Sequence, residues 1–313
     1  MIQILKTCNG TLNVLSRAEP DCWINLAQPT IEETTSISRE LGIPLDFLTD
    51  PLDADETPRM DVDGPNMLMV VRTPRFDVDA EVQYTTVPLG IILGPDRIVT
   101  VSAFKEDVLD VYTTGKARNF STVNRTHFVL HILRMTSLLY LNHLKAINKK
   151  TTGIEAELHK SLTNEALLHL LDLEKGLVFF TTSIRSNELM MERLQKSQQL
   201  KMSPEDQEFL EDVIVDNRQA IEMADIYSNI LSGMMDAFAS IISNNLSIVL
   251  KFLTSVTIIL MLPTLVASIY GMNVPLPFRP GFLNSPHAFL ITMVGSIALS
   301  VGSVILFRKK HWL

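Results

Sequence analysis

Seven side chains of the 313-residue chain recur at separations of three and four: Ser247, Leu250, Thr254, Thr257, Met261, Thr264 and Ser268. Steps of three and four keep them on one face of an α-helix. Small hydroxyls and one methionine, flanked by Ile, Leu and Val, suit the wall of a narrow pore. Small polar residues also mark helix packing in membranes, so spacing alone does not separate the two readings. The stripe ends at Tyr270-Gly271-Met272-Asn273, where Gly271 is expected to supply a left-handed turn that stops the helix.

Other candidate groups are weaker. His127 and His131 stand four apart, at metal-sharing distance on a helix, but no third ligand is evident and a satisfied or solvent-facing pair is expected. A phosphate-binding glycine loop, a nucleophile with its base and a His-Glu-x-x-His motif are all missing, so no enzymatic chemistry is expected.

The stripe needs a long helix to carry it. From Phe252 to Tyr270 no charge interrupts 19 positions, and at ~1.5 Å per residue this spans roughly 28 Å, close to a bilayer's hydrocarbon core. His287 to Phe307 repeats the pattern over 21 positions after a short Pro-rich loop, giving a hairpin that crosses a membrane twice. Upstream, Ser203-Pro204-Glu205-Asp206 is a helix start with a serine cap, proline in the first turn and acids at the positive end of the dipole. No proline follows until Pro263. The pattern predicts one helix of about 65 residues, roughly 100 Å long, that can carry a cytoplasmic event to a pore. Lys251 and Arg308-Lys309-Lys310 flank the spans against a single Arg279 in the loop, which puts both chain ends in the cytoplasm.

The first hundred residues alternate strands with a few helical runs. Strands are predicted at Ile2 to Leu5, Thr11 to Leu15, Cys22 to Leu26, Met67 to Thr73, Tyr84 to Leu93 and Arg97 to Ser102, with a helix from Thr30 to Leu41 stopped by Gly42. Asp46 to Met60 is polar, contains Pro51 and Pro58, and reads as loop or broken helix. From about Thr122 the texture turns helical. Phe128, Ile132, Met135, Leu138 and Leu139 recur at helical spacing, and a second helix from Asn164 to Leu200 is expected to bury Leu167, Leu171, Val178 and Ile184.

Composition excludes some partners. The net charge is −8, and between Ser203 and Asp236 nine acids stand against the single base Arg218. A nucleic-acid partner is disfavoured because phosphate binding needs the opposite sign. Most of this acidic stripe is expected to be a solvated helix face, with attraction of cations as the alternative. Cys8 and Cys22 form no Cys-x-x-Cys pair and are expected as free thiols. No secretory leader is recognisable at Met1 to Ser16, so the large N-terminal part is expected in the cytoplasm.

Tyr270-Gly271-Met272-Asn273 at the end of the first of two C-terminal spans resembles the signature of the CorA family of divalent-cation channels. Trp23-Ile24-Asn25, Leu41-Gly42-Ile43-Pro44, Leu48-Thr49-Asp50-Pro51 with Pro58-Arg59, and the closing Lys-Lys-His-Trp-Leu resemble further stretches of that family. The resemblance implies an α+β membrane protein: a cytoplasmic α/β domain (1–121), a long-helix stalk (122–250), a pore span (251–273), an extracytoplasmic loop (274–286), a second span (287–307) and a basic cytoplasmic tail (308–313). It implies a homopentameric funnel in the cell (inner) membrane that passes Mg²⁺, with Co²⁺ or Ni²⁺ as further cargo and no organic cofactor. Gly271, Met272 and Asn273 would form the selectivity filter, with Asn273 as a ring of amide oxygens that accept hydrogen bonds from a hydrated ion. Leu250 and Leu253 would form an apolar constriction in the pore.

The family also implies an inhibitory Mg²⁺ between neighbouring subunits, and the matching positions are Asp50 and Asp212. Thr49 stands where the family's motif has a first acid, and Val274 to Arg279 contains no acid where many relatives carry several. Two other readings are a Zn²⁺ or other transition-metal transporter of the same fold, proton-coupled, and a membrane-tethered scaffold that binds a protein partner.

Overall fold

The structure is a computed structural model that describes residues 2–8, 11–114, 120–158, 164–197, 200–272 and 286–312. It divides into two compact units, Met1–Met235 and Asp236–Leu313.

Seven strands build the first unit: β1 (Ile2–Cys8), β2 (Thr11–Leu15), β3 (Trp23–Ala27), β4 (Arg59–Asp63), β5 (Asn66–Phe76), β6 (Tyr84–Leu93) and β7 (Ile98–Ser102). They form one sheet in the order β2-β1-β3-β7-β6-β5-β4. Only β3 and β7 run parallel, with Trp23 opposite Ile98 and Ala27 opposite Ser102. Successive side chains leave a strand on opposite faces. Met67, Met69 and Val71 therefore enter one core with Leu89, Ile91 and Trp23, while Leu68 and Val70 enter the other with Ile92, Val99 and Ile24. Both faces are covered, and this is why β5 carries an unbroken apolar run at Met67–Val71 and β6 one at Ile91–Leu93 instead of an alternating pattern.

One face takes α1 (Ile31–Leu41) and α2 (Leu45–Thr49), through Ile37, Phe47 and Leu48. Helix α1 starts with a capping box in which Thr30 and Glu33 satisfy each other's backbone, and it stops at Gly42, whose φ of 65° is left-handed. The other face takes α3 (Asp107–Thr113), α4 (Arg125–Leu158), α5 (Asn164–Lys196) and the start of α6 (Pro204–Tyr270). Trp23 binds the two layers. Its ring meets Phe128 edge-on at 5.1 Å, and its Nε1 donates to Thr100 Oγ1 at 2.8 Å, whose hydroxyl donates in turn to Asn25 Oδ1 at 3.0 Å. The Trp-Ile-Asn strand is thus a packing device.

The stretch Asp46 to Met60 is a broken helix and loop as expected, with α2 followed by a 3-10 turn at Asp50–Leu52, but its last residues already belong to the edge strand β4, and α3 is an additional helix. On α5, Leu171 and Val178 are exposed and Leu167 is half-buried; the buried face runs through Leu170, Leu173, Leu177, Phe180 and Ile184. Gly176 lies on the buried face, close enough to the sheet that an added Cβ would lie 2.9 Å from Tyr84 Cβ.

The second unit holds the C-terminal half of α6 and α7 (Pro286–Lys309). Both helices are long and apolar enough to cross a membrane. The long helix is one unbroken element of 67 residues, in line with the expected length of about 65.

Candidate functional site

Helix α6 within Asp236–Leu313 has two distinct sides. Ser255 is fully buried, and Val256, Ile259, Leu262, Pro263 and Val266 are partly covered. This side packs against α7, where Ser300 Oγ donates to the Ile259 carbonyl at 3.5 Å. Ser247, Leu250, Leu253, Thr254, Thr257, Met261, Thr264 and Ser268 are all exposed. At about 100° per residue their mean direction is roughly opposite that of the packed side. Pro263, which lacks an N–H, lies on the packed side, so its break in the helical ladder does not open onto the stripe.

Three of the five hydroxyls on the stripe are tied to the helix that carries them. Ser247 Oγ donates to the Ser243 carbonyl at 2.9 Å, Thr257 Oγ1 to Leu253 at 2.8 Å and Thr264 Oγ1 to Leu260 at 3.1 Å. Each hydroxyl spends its one hydrogen on its own backbone and presents oxygen lone pairs outward. Such a surface accepts hydrogen bonds, which is what the waters around a cation offer.

The end of the helix differs from the expectation at Gly271. Gly271 is not among the residues with left-handed φ. Its N–H instead continues the helical pattern, donating to the Ala267 carbonyl at 3.0 Å and to Ser268 at 3.1 Å, and Met272 N–H donates to Ile269 at 3.4 Å. Tightening of the last turn, not a left-handed residue, closes α6. Met272 is exposed. Asn273 and the acid-free segment Val274 to Arg279 lie outside the described residues.

Asp50 opens the 3-10 turn at Asp50–Leu52. Its Oδ2 accepts from Arg59 Nη2 at 2.6 Å. The same guanidinium donates from Nη1 to Asp61 Oδ2 at 2.7 Å and from Nε to Glu56 Oε1 at 3.1 Å. The three carboxylates around it hold the Arg59 cation charged against the opposing pull of partial burial. Arg72 braces the same loop through neutral groups, donating from Nη1 to the carbonyls of Ala54 and Glu56 at 2.9 Å each. Asp212 lies on an exposed position of α6, and its side chain makes no ion pair or hydrogen bond among the described residues.

Sequence reasoning placed Arg59 in a motif without giving it a task. The signal was present: from Asp46 to Asp63 seven acids surround one base.

Four of the nine acids on α6 between Ser203 and Asp236 have partners on other helices: Arg185 pairs with Asp225, Arg134 with Asp216 at 4.0 Å, Gln195 donates to Glu211, and Asp206 meets His127. Arg218, the one base of the run, reaches the other way and pairs with Glu188 and Glu192 on α5. His127 Nδ1 meets Asp206 Oδ1 at 3.0 Å, and its ring crosses that of His131 at 4.7 Å. The histidine pair is thus part of the packing at the start of α6. Among the described residues no three His, Cys, Asp or Glu side chains gather closely enough to hold a metal. Cys8 and Cys22 are free thiols.

Residues 21–309 match the family model described as CorA-like Mg2+ transporter protein. The Cobalt/magnesium transport protein CorA of Methanocaldococcus jannaschii is 28% identical over 295 residues, covering 93% of this chain and 91% of that protein. The protein of the same name from Thermotoga maritima is 23% identical over 302 residues, covering 93% and 83%. The complete structure of the CorA magnesium transporter from Methanocaldococcus jannaschii aligns with a TM-score of 0.87 at 26% identity, over 100% of this chain and 99% of that one. An N-terminal α/β domain, a long helix and a second apolar helix follow one another in the same order along both chains. With the family's match running from the second turn of the sheet domain to the end of the last helix, the chain belongs to the CorA-like Mg2+ transporter protein family.

Proposed function

We propose that the protein is a homopentameric channel that admits divalent cations, Mg²⁺ first and Co²⁺ or Ni²⁺ with it, down their electrochemical gradient into the cell. The observation that carries this reading is the two-sidedness of α6 in the second unit: an acceptor-rich stripe faces away from α7, on a helix long and apolar enough to span a bilayer. One hairpin cannot enclose a pathway, so the stripes of five copies line it. The names of the Methanocaldococcus and Thermotoga relatives support the cargo.

Residues 251–273 form the pore span in this reading, and Gly271, Met272 and Asn273 its selective mouth. A neutral amide ring accepts from the ion's water shell and releases the ion more readily than a carboxylate ring does. Leu250 and Leu253 block the closed pore by excluding water. The domain 1–121, the stalk 122–250 and both chain ends lie in the cytoplasm of a cell (inner) membrane protein, a reading supported by the basic residues at 251 and 308–310. The protein's work is transport, not catalysis.

Closure is governed by Mg²⁺ held between Asp50 of one subunit and Asp212 of the next. Carboxylate oxygens suit this hard ion, which keeps several waters and takes one or two carboxylates. Asp212 makes no bond, and Asp50 Oδ1 has no partner among the described residues, so each offers an oxygen. Loss of the ion leaves the acidic pairs repelling each other, and the long helices tilt.

Uptake of Mg²⁺ by vesicles containing the purified protein tests the reading. Asn273→Ala is expected to abolish uptake while the oligomer stays assembled. Undiminished uptake in that variant removes the proposed mouth. A protein that passes no ion is a scaffold, and uptake of Zn²⁺ driven by a pH gradient marks a proton-coupled carrier.

A further inference from the structure

We infer that Arg59 is a built-in counter-cation that weakens divalent binding at Asp50 and so sets the Mg²⁺ level at which the channel closes. The inference rests on the Asp50–Asp212 reading above and adds a residue to it. Three nitrogens of one guanidinium each engage a different carboxylate, those of Asp50, Glu56 and Asp61, at 2.6, 3.1 and 2.7 Å. No other cation pairs with these acids among the described residues; Arg72, the next base in the chain, spends its bonds on Thr86 and on backbone carbonyls. The loop is also fixed in place, since Pro51 packs closely over Gly90 on β6. The backbone that carries Asp50 is therefore held at a fixed place beside Arg59.

The group is accessible to an incoming ion. Side-chain exposure is 27% for Arg59 and 37% for Asp50. A divalent ion at Asp50 has two routes. It takes the free Oδ1 beside the guanidinium, or it displaces the guanidinium from Oδ2 and forces Arg59 onto Glu56 and Asp61 alone. Either route meets a fixed positive charge within a few ångströms. At that range a unit charge acting on a divalent ion, even at the dielectric constant of water, changes affinity by about tenfold or more. An unopposed acidic loop at the same place would hold its ion at far lower concentration and keep the pore shut. The arginine is thus the element that makes the site release its ion within a working range.

The test follows protection of the full-length oligomer from a protease as Mg²⁺ is raised, because an ion that binds the closed assembly slows cleavage of the open one. Arg59→Gln is expected to lower the Mg²⁺ midpoint by about tenfold or more, and Arg59→Lys, which keeps the charge, to stay near wild type. An unchanged or raised midpoint in Arg59→Gln overturns the inference. Should Arg59→Gln fail to assemble, Arg59→His gives a second reading: its midpoint must be lower at pH 8, where the ring is neutral, than at pH 5.5, and a pH-independent midpoint overturns the inference. Asp50→Asn with Asp212→Asn separates the two levels. If that pair leaves the midpoint untouched, the carboxylate sensor itself is wrong; if it shifts the midpoint while Arg59→Gln does not, the sensor stands and Arg59 has no part in it.

Discussion

His127 Nδ1 stands 3.0 Å from Asp206 Oδ1, a bond across 79 residues of sequence that fastens the first turn of α4 to the first turn of α6. Asp206 also closes a cap, accepting at Oδ2 from Ser203 N–H at 3.1 Å and from Ser203 Oγ at 2.8 Å while its own N–H donates to Ser203 Oγ at 3.1 Å. The long helix that carries the stripe thus begins at a side chain held from both directions.

Burial pushes the Asp206 carboxyl upward, but the Ser203 hydroxyl and backbone, then His127, outweigh it and hold the group below its ordinary 3.8. A depressed carboxylate contributes stability that is present above its unfolded value and lost as pH falls through the folded one. Thermal unfolding of the purified protein should therefore show an extra loss below about pH 4 that Asp206→Asn lacks. Asp206→Ala should cost about 1–3 kcal/mol at neutral pH, because the carboxylate's bonds to Ser203 and His127 are lost while the backbone N–H keeps its bond to Ser203 Oγ. Equal acid sensitivity in wild type and Asp206→Asn would count against this assignment.

Glu106 titrates in the opposite sense. It is buried at the start of α3 between Thr73 Oγ1 and Ser102 Oγ, each at 2.6 Å. Desolvation raises it from 4.5 to about 7, with the two hydroxyls and Arg75 pulling it down and Asp107 pushing it up. For a raised carboxyl the contribution to stability is full below the unfolded value and disappears as pH rises through the folded one. Wild type should lose on the order of 3 kcal/mol between pH 4.5 and pH 8 that Glu106→Gln, which stays neutral, does not lose. Melting curves of both proteins across that range decide it, and parallel curves would refute it.

Gly90 connects the sheet to the acidic loop. It lies on β6 opposite Val101, and a Cβ there would overlap the Pro51 ring and come within 2.8 Å of Val101 Cγ1. Gly90→Ala should cost on the order of 1–3 kcal/mol. Because Pro51 follows Asp50, the same change should also move the Mg²⁺ midpoint for protease protection. A stable variant with an unmoved midpoint would show that the turn absorbs the methyl without transmitting it to Asp50.

The parts of this molecule that were legible in the sequence are those where one pattern runs long enough to dominate. The α6 helix was readable because an unbroken periodic stretch between Ser203 and Pro263 leaves no other solution, and α1 because Thr30, Glu33 and Gly42 mark its ends chemically. Strand β4 was not: Met60 and Val62 alternate with charged residues, but over only five positions directly after Pro58, at a sheet edge where Val62 is exposed. Nor was the buried face of α5, where the apolar Leu171 and Val178 are exposed and Gly176, with no side chain to signal it, packs tightly on Tyr84 of the sheet. At the candidate site, the residue types on the stripe were legible and the pairing of Asp50 with Arg59 was not. A fork gripping Asp50, Glu56 and Asp61 depends on how a turn and a strand meet, which their separate sequences do not state.

Gly271 gives the last prediction, because the fold denies it the reason usually offered for a glycine at the end of a helix. Its φ is not left-handed, and an added Cβ would meet only the Ala267 and Ser268 carbonyl oxygens, at 3.4 and 3.5 Å. If the turn needed a left-handed residue, alanine would cost about 1–2 kcal/mol. With ordinary helical bonding through Gly271 N–H, alanine should instead be neutral or gain up to about 1 kcal/mol from its higher helix propensity. Gly271→Ala is therefore expected to assemble and to melt no lower than wild type, as size-exclusion chromatography and thermal unfolding would record. Any fall in Mg²⁺ uptake by that variant then belongs to the methyl group at the proposed mouth and not to the folding of α6. A melting point several degrees lower would mean that the last turn requires glycine after all, and that the helix ends by a route other than the tightened bonds from Gly271 and Met272.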